Sequence, residues 1–384
     1  MKNSITTSVR TIAFFLISIL TLGCFSPNTE AKPTPSPDKQ KIMLALLLDT
    51  SNSMDGLIEQ AKSQLWTIVN ELSAAKCGNG TRPDIQIALF EYGNDGLPQA
   101  EGYMRMVTDL TTDLDEISEK LFGLSTNGGD EYCGYAIDKS IKKLDWSKSK
   151  ADLKMIFIAG NEPFSQGNVP YESACKLAKE HDIVVNTIFC GDYNEGIRSS
   201  WRHGATLTGG SYMSIEQNQK TVYVRTPYDD KIDRLNDEMN KTYIHYGAQG
   251  RSKKEKQIAQ DENAEFYSQA NKVKRAISKS SHAYKNSSWD LVDAYEDNEE
   301  VLESVDDKFL PEPMQKMDSE EKKAYVKELT QKREAIKKEI QTLSTQRKQY
   351  IAENKPTEAP VNTLDQAMVN SIKEVGKTKN LIFE

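Results

Sequence analysis

The sequence predicts an α/β fold with a doubly wound, mostly parallel sheet flanked by helices, followed by an all-α C-terminal region. The first observation is the stretch 44–54, LALLLDTSNSM, in which an unbroken apolar run ends in an aspartate and two serines. Such a run is typical of a strand that is buried on both faces. The second is an alternation of strand-like and helix-like segments from residue 41 to 215. The third is a change in composition after residue 225, where charged residues replace glycines and aliphatic strands.

The alternating segments define a predicted domain over about 40–225. Runs rich in aliphatic residues predict the strands, and apolar residues at helical spacing predict the helices. The predicted strands are 41–48, 84–92, 103–107 at an edge, 153–158, 183–189 and 210–215. The predicted helices are 55–75, 113–124, 132–144, 171–181 and 197–206.

The region 226–384 is predicted to be helical and highly charged. Segments 228–243, 252–280 and 319–352 have helical spacing. In the last of them the apolar residues are sparse and recur at roughly heptad intervals, which favours a helical hairpin or coiled coil. A final amphipathic stretch covers 364–375.

The N-terminus has the features of a secretory signal peptide over residues 1–24. Lys2 and Arg10 precede the apolar run Thr11–Leu22, which is short for a membrane span. The following Gly23-Cys24 resembles a bacterial lipobox, which implies that Cys24 is lipidated. Thr21 departs from the usual aliphatic residue, so cleavage without lipidation is the alternative.

Residues 25–39 form a Pro/Ser-rich linker, because prolines keep such a segment extended and unable to pack. The chain is therefore expected to be exported, attached to the cell envelope by a lipid, and to face the periplasm or the surface. Phe25 and Ser26 lack the aspartate that often retains lipoproteins at the inner membrane, so the outer membrane is expected in a Gram-negative cell.

Four further cysteines remain, and an even number in an exported chain favours disulfides. They are Cys77, Cys133, Cys175 and Cys190. Cys175 lies early in a predicted helix and Cys190 ends the next predicted strand, so a Cys175–Cys190 disulfide is the first prediction. Buried free thiols are the alternative.

The motif Asp49-x-Ser51-x-Ser53 places three hard oxygen ligands at the carboxyl end of the first strand. Ligands of that kind suit Mg²⁺, Mn²⁺ or Ca²⁺ rather than zinc. Another interpretation is structural, since Ser53 or Asp55 would suit the N-cap of the next helix. After a hydrophobic strand, D-x-S-x-S resembles the metal-ion-dependent adhesion site of the von Willebrand factor type A (VWA) family, which implies a VWA, Rossmann-like fold for 40–225.

The resemblance implies a metal site made by three loops, and two of them depart from the family pattern. In the second loop, Thr126 is one candidate for the family's threonine, but counting from Gly128-Gly129 places Asp130 there. In the third, Gly160 replaces the usual aspartate. We predict that Asp130 supplies the missing carboxylate beside the D-x-S-x-S residues. A degenerate site that no longer binds metal is the alternative.

The resemblance also implies a protein partner whose acidic side chain completes the coordination of the ion. The leading hypothesis is a cell-envelope lipoprotein with a partner-binding VWA domain. The alternative is a structural envelope protein that assembles through its helical C-terminal region while the VWA fold is inert. A net charge of -8 without a basic block argues against nucleic acid. The four histidines show no metal-ligand spacing and no nucleophile motif occurs, so we do not predict an enzyme.

Overall fold

The computed structural model describes residues 39–218, 223–354 and 363–383. The predicted signal peptide, the lipidation site Cys24 and the linker up to residue 38 lie outside these residues. Among the described residues, no helix has both the length and the apolar character needed to cross a membrane.

A six-stranded sheet forms the centre of the fold, in the order β4-β3-β1-β5-β6-β7. Only the edge strand β4 is antiparallel to its neighbour, so the predicted mostly parallel sheet is confirmed. Strands β2 and β8 form a separate antiparallel pair. The strands are β1 Lys41–Asp49, β2 Ala75–Cys77, β3 Asp84–Tyr92, β4 Met104–Thr111, β5 Leu153–Gly160, β6 Val184–Phe189, β7 Tyr212–Ser214 and β8 Leu381–Phe383.

Fourteen α-helices are assigned within the described residues. In chain order they are α1 Asp55–Ser73, α2 Leu114–Phe122, α3 Cys133–Lys143, α4 Tyr171–Glu180, α5 Tyr193–Arg198, α6 Trp201–Thr208, α7 Asp229–Asn240, α8 Gly250–Tyr267, α9 Gln269–Lys279, α10 Leu291–Asp297, α11 Val301–Ser304, α12 Glu312–Gln315, α13 Ser319–Glu353 and α14 Leu364–Thr378.

Strand β1 lies at the middle of the core because it presents apolar side chains to both faces of the sheet. Its even-numbered residues from Ile42 to Leu48 pack in one cluster, with α1, α2 and α14. Its odd-numbered residues from Met43 to Leu47 pack in another, with α3, α4 and α6. The alternation of side chains along a strand therefore divides the core into two layers of helices.

The four cysteines in the described part of the chain are buried and free, so the predicted Cys175–Cys190 disulfide is wrong. Cys175 belongs to the cluster under α3, α4 and α6, whereas Cys190 belongs to the cluster on the other face of the sheet. Because the sheet separates them, the two sulfur atoms have no route to each other. Burial raises the pKa of the Cys175 thiol to about 12, so it remains protonated.

The C-terminal region is helical as predicted, but its helices pack on the sheet domain rather than forming a separate layer. The 35-residue helix α13 contacts α7, α9 and α10. Its apolar residues Ile336, Ile340 and Leu343 join the same core cluster as α1. The predicted heptad stripe is thus covered by shorter helices of the same chain.

The last described segment, residues 363–383, returns to the central sheet. Met368 and Ile372 of α14 are buried in the cluster that covers β5 and β6. Ser371 Oγ donates a hydrogen bond of 2.6 Å to Oδ1 of Asn186, which lies on β6. β8 then pairs with β2 at the end of α1. The described residues from 39 onward therefore form one compact unit, and the change of composition near residue 225 does not mark its edge.

Buried ion pairs join the helical region to the sheet domain. Arg275 of α9 is almost fully buried, and its Nη1 lies 2.8 Å from Oδ1 of Asp115 on α2. Its Nε contacts Asp261 of α8, and its guanidinium lies 4.7 Å from the ring centroid of Trp66 on α1. One side chain therefore connects four helices, and the two carboxylates compensate its charge inside the core.

A second buried group fixes the long helix. Arg333 of α13 is fully buried, and its Nη1 donates to Oδ1 of Asp293 at 2.7 Å and also contacts Asp290. Its Nε donates to Oγ1 of Thr242 at 2.9 Å. Because both carboxylates and the hydroxyl come from other elements, this arginine sets how α13 lies on its neighbours.

We predict that Arg275→Ala lowers the free energy of unfolding by about 3–5 kcal/mol, since Asp115 then remains buried without a cation while Asp261 keeps only Lys279. Urea denaturation measures the loss. Lys241→Ala, which removes an exposed partner of Glu238, is the control and is expected to have little effect on stability, because water screens such a surface pair. Equal effects of the two substitutions would contradict this account.

We also predict that the fragment 39–225, which lacks the helical region and with it α14, unfolds at a markedly lower temperature than the full chain. Without α14, one face of β5 and β6 loses the cover that Met368 and Ile372 provide. Thermal denaturation with an apolar dye compares the two. A fragment as stable as the full chain would show that the predicted boundary near 225 encloses an independent domain.

Candidate functional site

The D-x-S-x-S motif lies where β1 ends, with its acidic residue buried and its last serine exposed. Asp49 is completely buried, and its Oδ1 accepts a hydrogen bond of 2.7 Å from the backbone N–H of Ser51. The hydroxyl of Ser51 lies 3.1 Å from that of Ser53. The backbone therefore turns back at Ser51, which places the two hydroxyls side by side next to the carboxylate.

The capping interpretation of this motif is not supported by the structure. Within the described residues, helix α1 follows Met54 and has no side-chain hydrogen bond at its N-cap. Asp55 instead accepts a hydrogen bond from the hydroxyl of Thr126. The serines of the motif are thus left for another role.

Glu131, rather than Asp130, is the second carboxylate of the site. A Cβ atom built on Gly93 would lie 2.7 Å from Asp49 Oδ1 and 2.8 Å from Glu131 Cγ, so both acidic side chains pack against this glycine. Glu131 is 3% exposed. The pKa of Asp49 is raised well above its usual value, first by burial and then by the negative charge of Glu131. The two carboxyls therefore interact directly.

Asp130, which the sequence predicts as a ligand, is exposed and turned away from the motif. Its Oδ2 accepts a hydrogen bond of 3.0 Å from the Tyr132 hydroxyl. The backbone N–H of Glu131 donates to Oε1 of Gln166 at 2.8 Å, which fixes the orientation of this loop. Glu131 is thus buried and Asp130 exposed, although the two residues are adjacent in the loop.

The other predicted ligand of the second loop, Thr126, lies at the border of the site. Its hydroxyl donates to Asp55 at the start of α1. The neighbouring Asn127 N–H donates to the carbonyl of Thr50 at 2.9 Å, which ties the second loop to the end of β1. Thr126 is thus close to the first loop, but the hydrogen bond recorded for its hydroxyl is to Asp55.

The third loop contributes no carboxylate at residue 160 and offers an amide beside it. The Cβ of any larger residue at Gly160 would come within 3.0 Å of Asp49 Oδ2. Asn161 Oδ1 accepts a long hydrogen bond of 3.4 Å from the Ser53 hydroxyl. The exposed Glu162 adds a nearby negative charge that contributes to raising the pKa of Glu131, although burial is the larger cause.

Two oxygen atoms of the carboxyl pair are buried without a hydrogen-bond partner in the described structure, namely Asp49 Oδ2 and Glu131 Oε2. Orphaned buried carboxylate oxygens are costly, and either a proton or a cation can compensate them. Together with the hydroxyls of Ser51 and Ser53 they form an all-oxygen set, which fits a hard divalent cation. No group of three or more His, Cys, Asp or Glu side chains gathers in the described residues, so the hydroxyls are needed to complete such a site.

The histidines take part in separate local contacts, away from this carboxyl pair. For example, His203 Nδ1 lies 2.8 Å from the Tyr171 hydroxyl, and His245 Nδ1 lies 3.2 Å from the carbonyl of Phe309. Neither contact pairs a histidine with a nucleophile and a carboxylate. The carboxyl pair and the neighbouring hydroxyls therefore have no histidine contact in these two cases.

Comparison with known proteins gives a match of residues 44–197 to the family model described as von Willebrand factor type A domain. Domains of this family commonly mediate protein–protein interaction and are typically not enzymes. No curated protein matches the chain.

Three solved structures illustrate the likeness. The conserved hypothetical protein BatB from Bacteroides thetaiotaomicron is 16% identical, with 45% of this chain and 90% of that chain covered and a TM-score of 0.35. The SpRpn10 VWA domain is 16% identical, with coverages of 46% and 88% and a TM-score of 0.34. Proximal thread matrix protein 1 from the mussel byssus, with a zinc-occupied MIDAS motif, is 14% identical, with coverages of 46% and 42% and a TM-score of 0.34.

We predict that Glu131→Gln stabilises the metal-free protein at pH 7. Since the folded chain raises the pKa of Glu131 and Asp49, stability is lost as the pH rises through these raised values. Removing one acid relieves the repulsion and is expected to add on the order of 1 kcal/mol to the free energy of unfolding in EDTA. Urea denaturation between pH 4 and pH 8 measures it, and the gain should shrink toward pH 4.

The control for this prediction is Asp130→Asn, which removes the same charge from the neighbouring exposed position. It is expected to leave the free energy of unfolding nearly unchanged over the same pH range. A larger gain from Asp130→Asn than from Glu131→Gln would contradict the assignment of Glu131 to the carboxyl pair.

Proposed function

We propose, from the von Willebrand factor type A domain that residues 44–197 form, that this chain binds a protein partner through a divalent cation at the carboxyl ends of its strands. The proposed ligands are Asp49, Ser51, Ser53 and Glu131. Glu131 takes the role that the sequence assigns to Asp130, while Thr126 is engaged by Asp55.

The observation that carries the proposal is the pair of orphaned buried oxygens on Asp49 and Glu131. A divalent cation would neutralise both carboxylates and supply the missing partner of each oxygen. Without it, the same burial that raises their pKa values makes the charged pair unfavourable. The ion would therefore bind at a place where folding has already removed two acids from water.

A cation with this ligand set would keep coordination positions open on its exposed side. Mg²⁺ and Mn²⁺ favour six oxygen ligands and Ca²⁺ takes six to eight. Four side chains therefore leave the remaining coordination positions to water or to a partner. Ser53 and Asn161 lie at the solvent side, whereas Asp49 is completely buried. A carboxylate from a partner protein would be the natural oxygen ligand to approach from that direction.

The proposed location is the cell envelope, with the chain held by a lipid on Cys24. This part of the proposal rests on the charged start, the short apolar run and the lipobox-like cysteine of the sequence. The Pro/Ser-rich linker would then hold the domain away from the membrane surface.

The alternative, assembly through the helical region with an inert VWA domain, has less support. The apolar residues of α13 that would form a coiled coil are packed inside this chain, including Val326, Ile336 and Ile340. Assembly through them would require the helix to leave its own core. Partner binding at the strand ends needs no such rearrangement.

We predict that the full chain binds Mg²⁺, Mn²⁺ or Ca²⁺ with a single-site isotherm in calorimetry. Asp49→Ala and Glu131→Gln should abolish or strongly weaken the signal, because each removes a carboxylate from the pair. Asp130→Asn is the matched control and should bind like the unchanged protein. Binding that depends on Asp130 and not on Glu131 would overturn the ligand assignment, and absence of binding would make the site degenerate.

The partner is tested by capturing envelope proteins on the immobilised chain with and without EDTA. Capture that needs the cation and is lost in Asp49→Ala supports the proposal. Capture that is indifferent to both would favour the structural alternative.

A further inference from the structure

A cavity of about 600 Å³ lies between α1, α9 and α13, where the helical region meets the sheet domain. Four cationic side chains line it, together with a single carboxylate. The cations are Arg82, Lys274, Arg347 and Lys348, and the acid is Glu71. This excess of positive charge stands out on a chain with a net charge of -8.

Lys274 is the cation of this cavity that has no direct hydrogen-bond or ion-pair partner in the part of the chain that the structure describes. Within the described residues, its ammonium group makes no recorded hydrogen bond or ion pair. Burial lowers its pKa, the charge of Arg347 lowers it further, and the charge of Asp365 opposes the shift. A partly buried ammonium without a partner is unfavourable, so a ligand with negative charge would relieve a cost that the folded chain already carries.

A hydroxyl in the same wall is also without a partner. Thr67 Oγ1, on α1, is buried and has no hydrogen bond in the described structure. Threonine in a helix often donates to the carbonyl one turn earlier, so an orphaned hydroxyl here leaves a donor and an acceptor for another group. The unpaired cation and the unpaired hydroxyl line one cavity.

The remaining cations are held at the wall by contacts that use only part of their donors. Arg347 Nε lies 2.8 Å from Asp229 Oδ1, and the recorded contacts of Arg82 are those of Nη1 with carbonyls at the end of α1. Lys348 lies 3.1 Å from Glu71, which also pairs with Lys373. The guanidinium groups therefore keep further N–H donors for a ligand.

We infer that this cavity binds a small organic phosphate of the phosphomonoester class, independently of the proposed metal site. A phosphate presents several oxygens and close to two negative charges, which match an array of Arg and Lys donors. The volume lies within the range of small-molecule sites and exceeds what a single phosphate group fills. Hydroxyls such as those of Thr67 and Ser344 would meet the polar organic part.

Calorimetric titration of the full chain with ribose 5-phosphate, inorganic phosphate and ribose tests this inference. Ribose 5-phosphate should bind and ribose should not, and added NaCl should weaken the binding. Tighter binding of ribose 5-phosphate than of inorganic phosphate supports an organic ligand. Equal affinity overturns that part and assigns the cavity to phosphate itself.

Lys274→Gln should weaken the binding of ribose 5-phosphate by at least about tenfold, the usual loss for one charge-assisted hydrogen bond. Lys338→Gln removes an equal charge from an exposed position on α13 and should leave binding unchanged. Lys274→Gln should not lower the melting temperature, because it removes an unpaired cation, and this separates lost binding from lost structure.

Thr67→Val provides a second variant of nearly the same shape, and it should also weaken binding while the protein stays folded. Absence of binding by both phosphates overturns the inference. Binding that Lys274→Gln and Thr67→Val leave unchanged overturns it as well, since the anion then binds elsewhere.

Discussion

The structure depends on one constraint, which is that a parallel sheet with an entirely apolar central strand must be covered on both faces. β1 supplies apolar side chains to both layers, so an uncovered face would expose a large part of the core. Helices α3, α4 and α6, which follow the strands along the chain, cover one face, and α1 and α2 cover part of the other. The other is completed only when α14 arrives from the far end of the chain. A segment from the far end of the sequence therefore packs directly on the central sheet.

The packing of α14 on the sheet constrains where the charged helical region can lie. The segment between β7 and α14 leaves the sheet and comes back, and its helices must fit the surface that α1 and α2 offer. That surface is not purely apolar, because Asp115 of α2 is buried in it. Arg275 compensates this acid and also contacts Asp261 of its own region. Such a paired group adds less net stability than apolar packing, but it defines one arrangement, because any other leaves a charge buried alone.

The sequence predicts the strands β1, β3, β5 and β6 well, because each is a continuous apolar run in a parallel sheet. It does not predict β2 and β8, which are three residues each and depend on pairing between distant parts of the chain. The predicted helix 252–280 is divided at Ser268, whose extended backbone and capping side chain start a second helix. Counting cysteines also fails, since the count does not reveal which face of the sheet each sulfur occupies.

The proposed metal ligands illustrate the same limit at the level of single residues. Spacing locates Asp49, Ser51 and Ser53, and it locates the second loop to within one residue, but it does not tell which acid of that loop points inward. Steric constraints around Asp49 decide from which loop a second acid can approach it. Tyr92 fills the space next to Gly160, where a Cβ atom would lie 2.5 Å from the tyrosine hydroxyl, and that hydroxyl donates to the carbonyl of Ala159. A side chain at residue 160 is thereby excluded.

A second carboxylate can consequently reach Asp49 only from another loop. Gly93, with a φ of +78° and no Cβ, leaves the room through which the longer side chain of Glu131 approaches. An aspartate at residue 131 would have one methylene less with which to span this gap. The loss of the acid in the third loop and the gain of Glu131 in the second are thus two results of one packing arrangement, in which a buried tyrosine occupies one approach to Asp49 and a glycine opens the other.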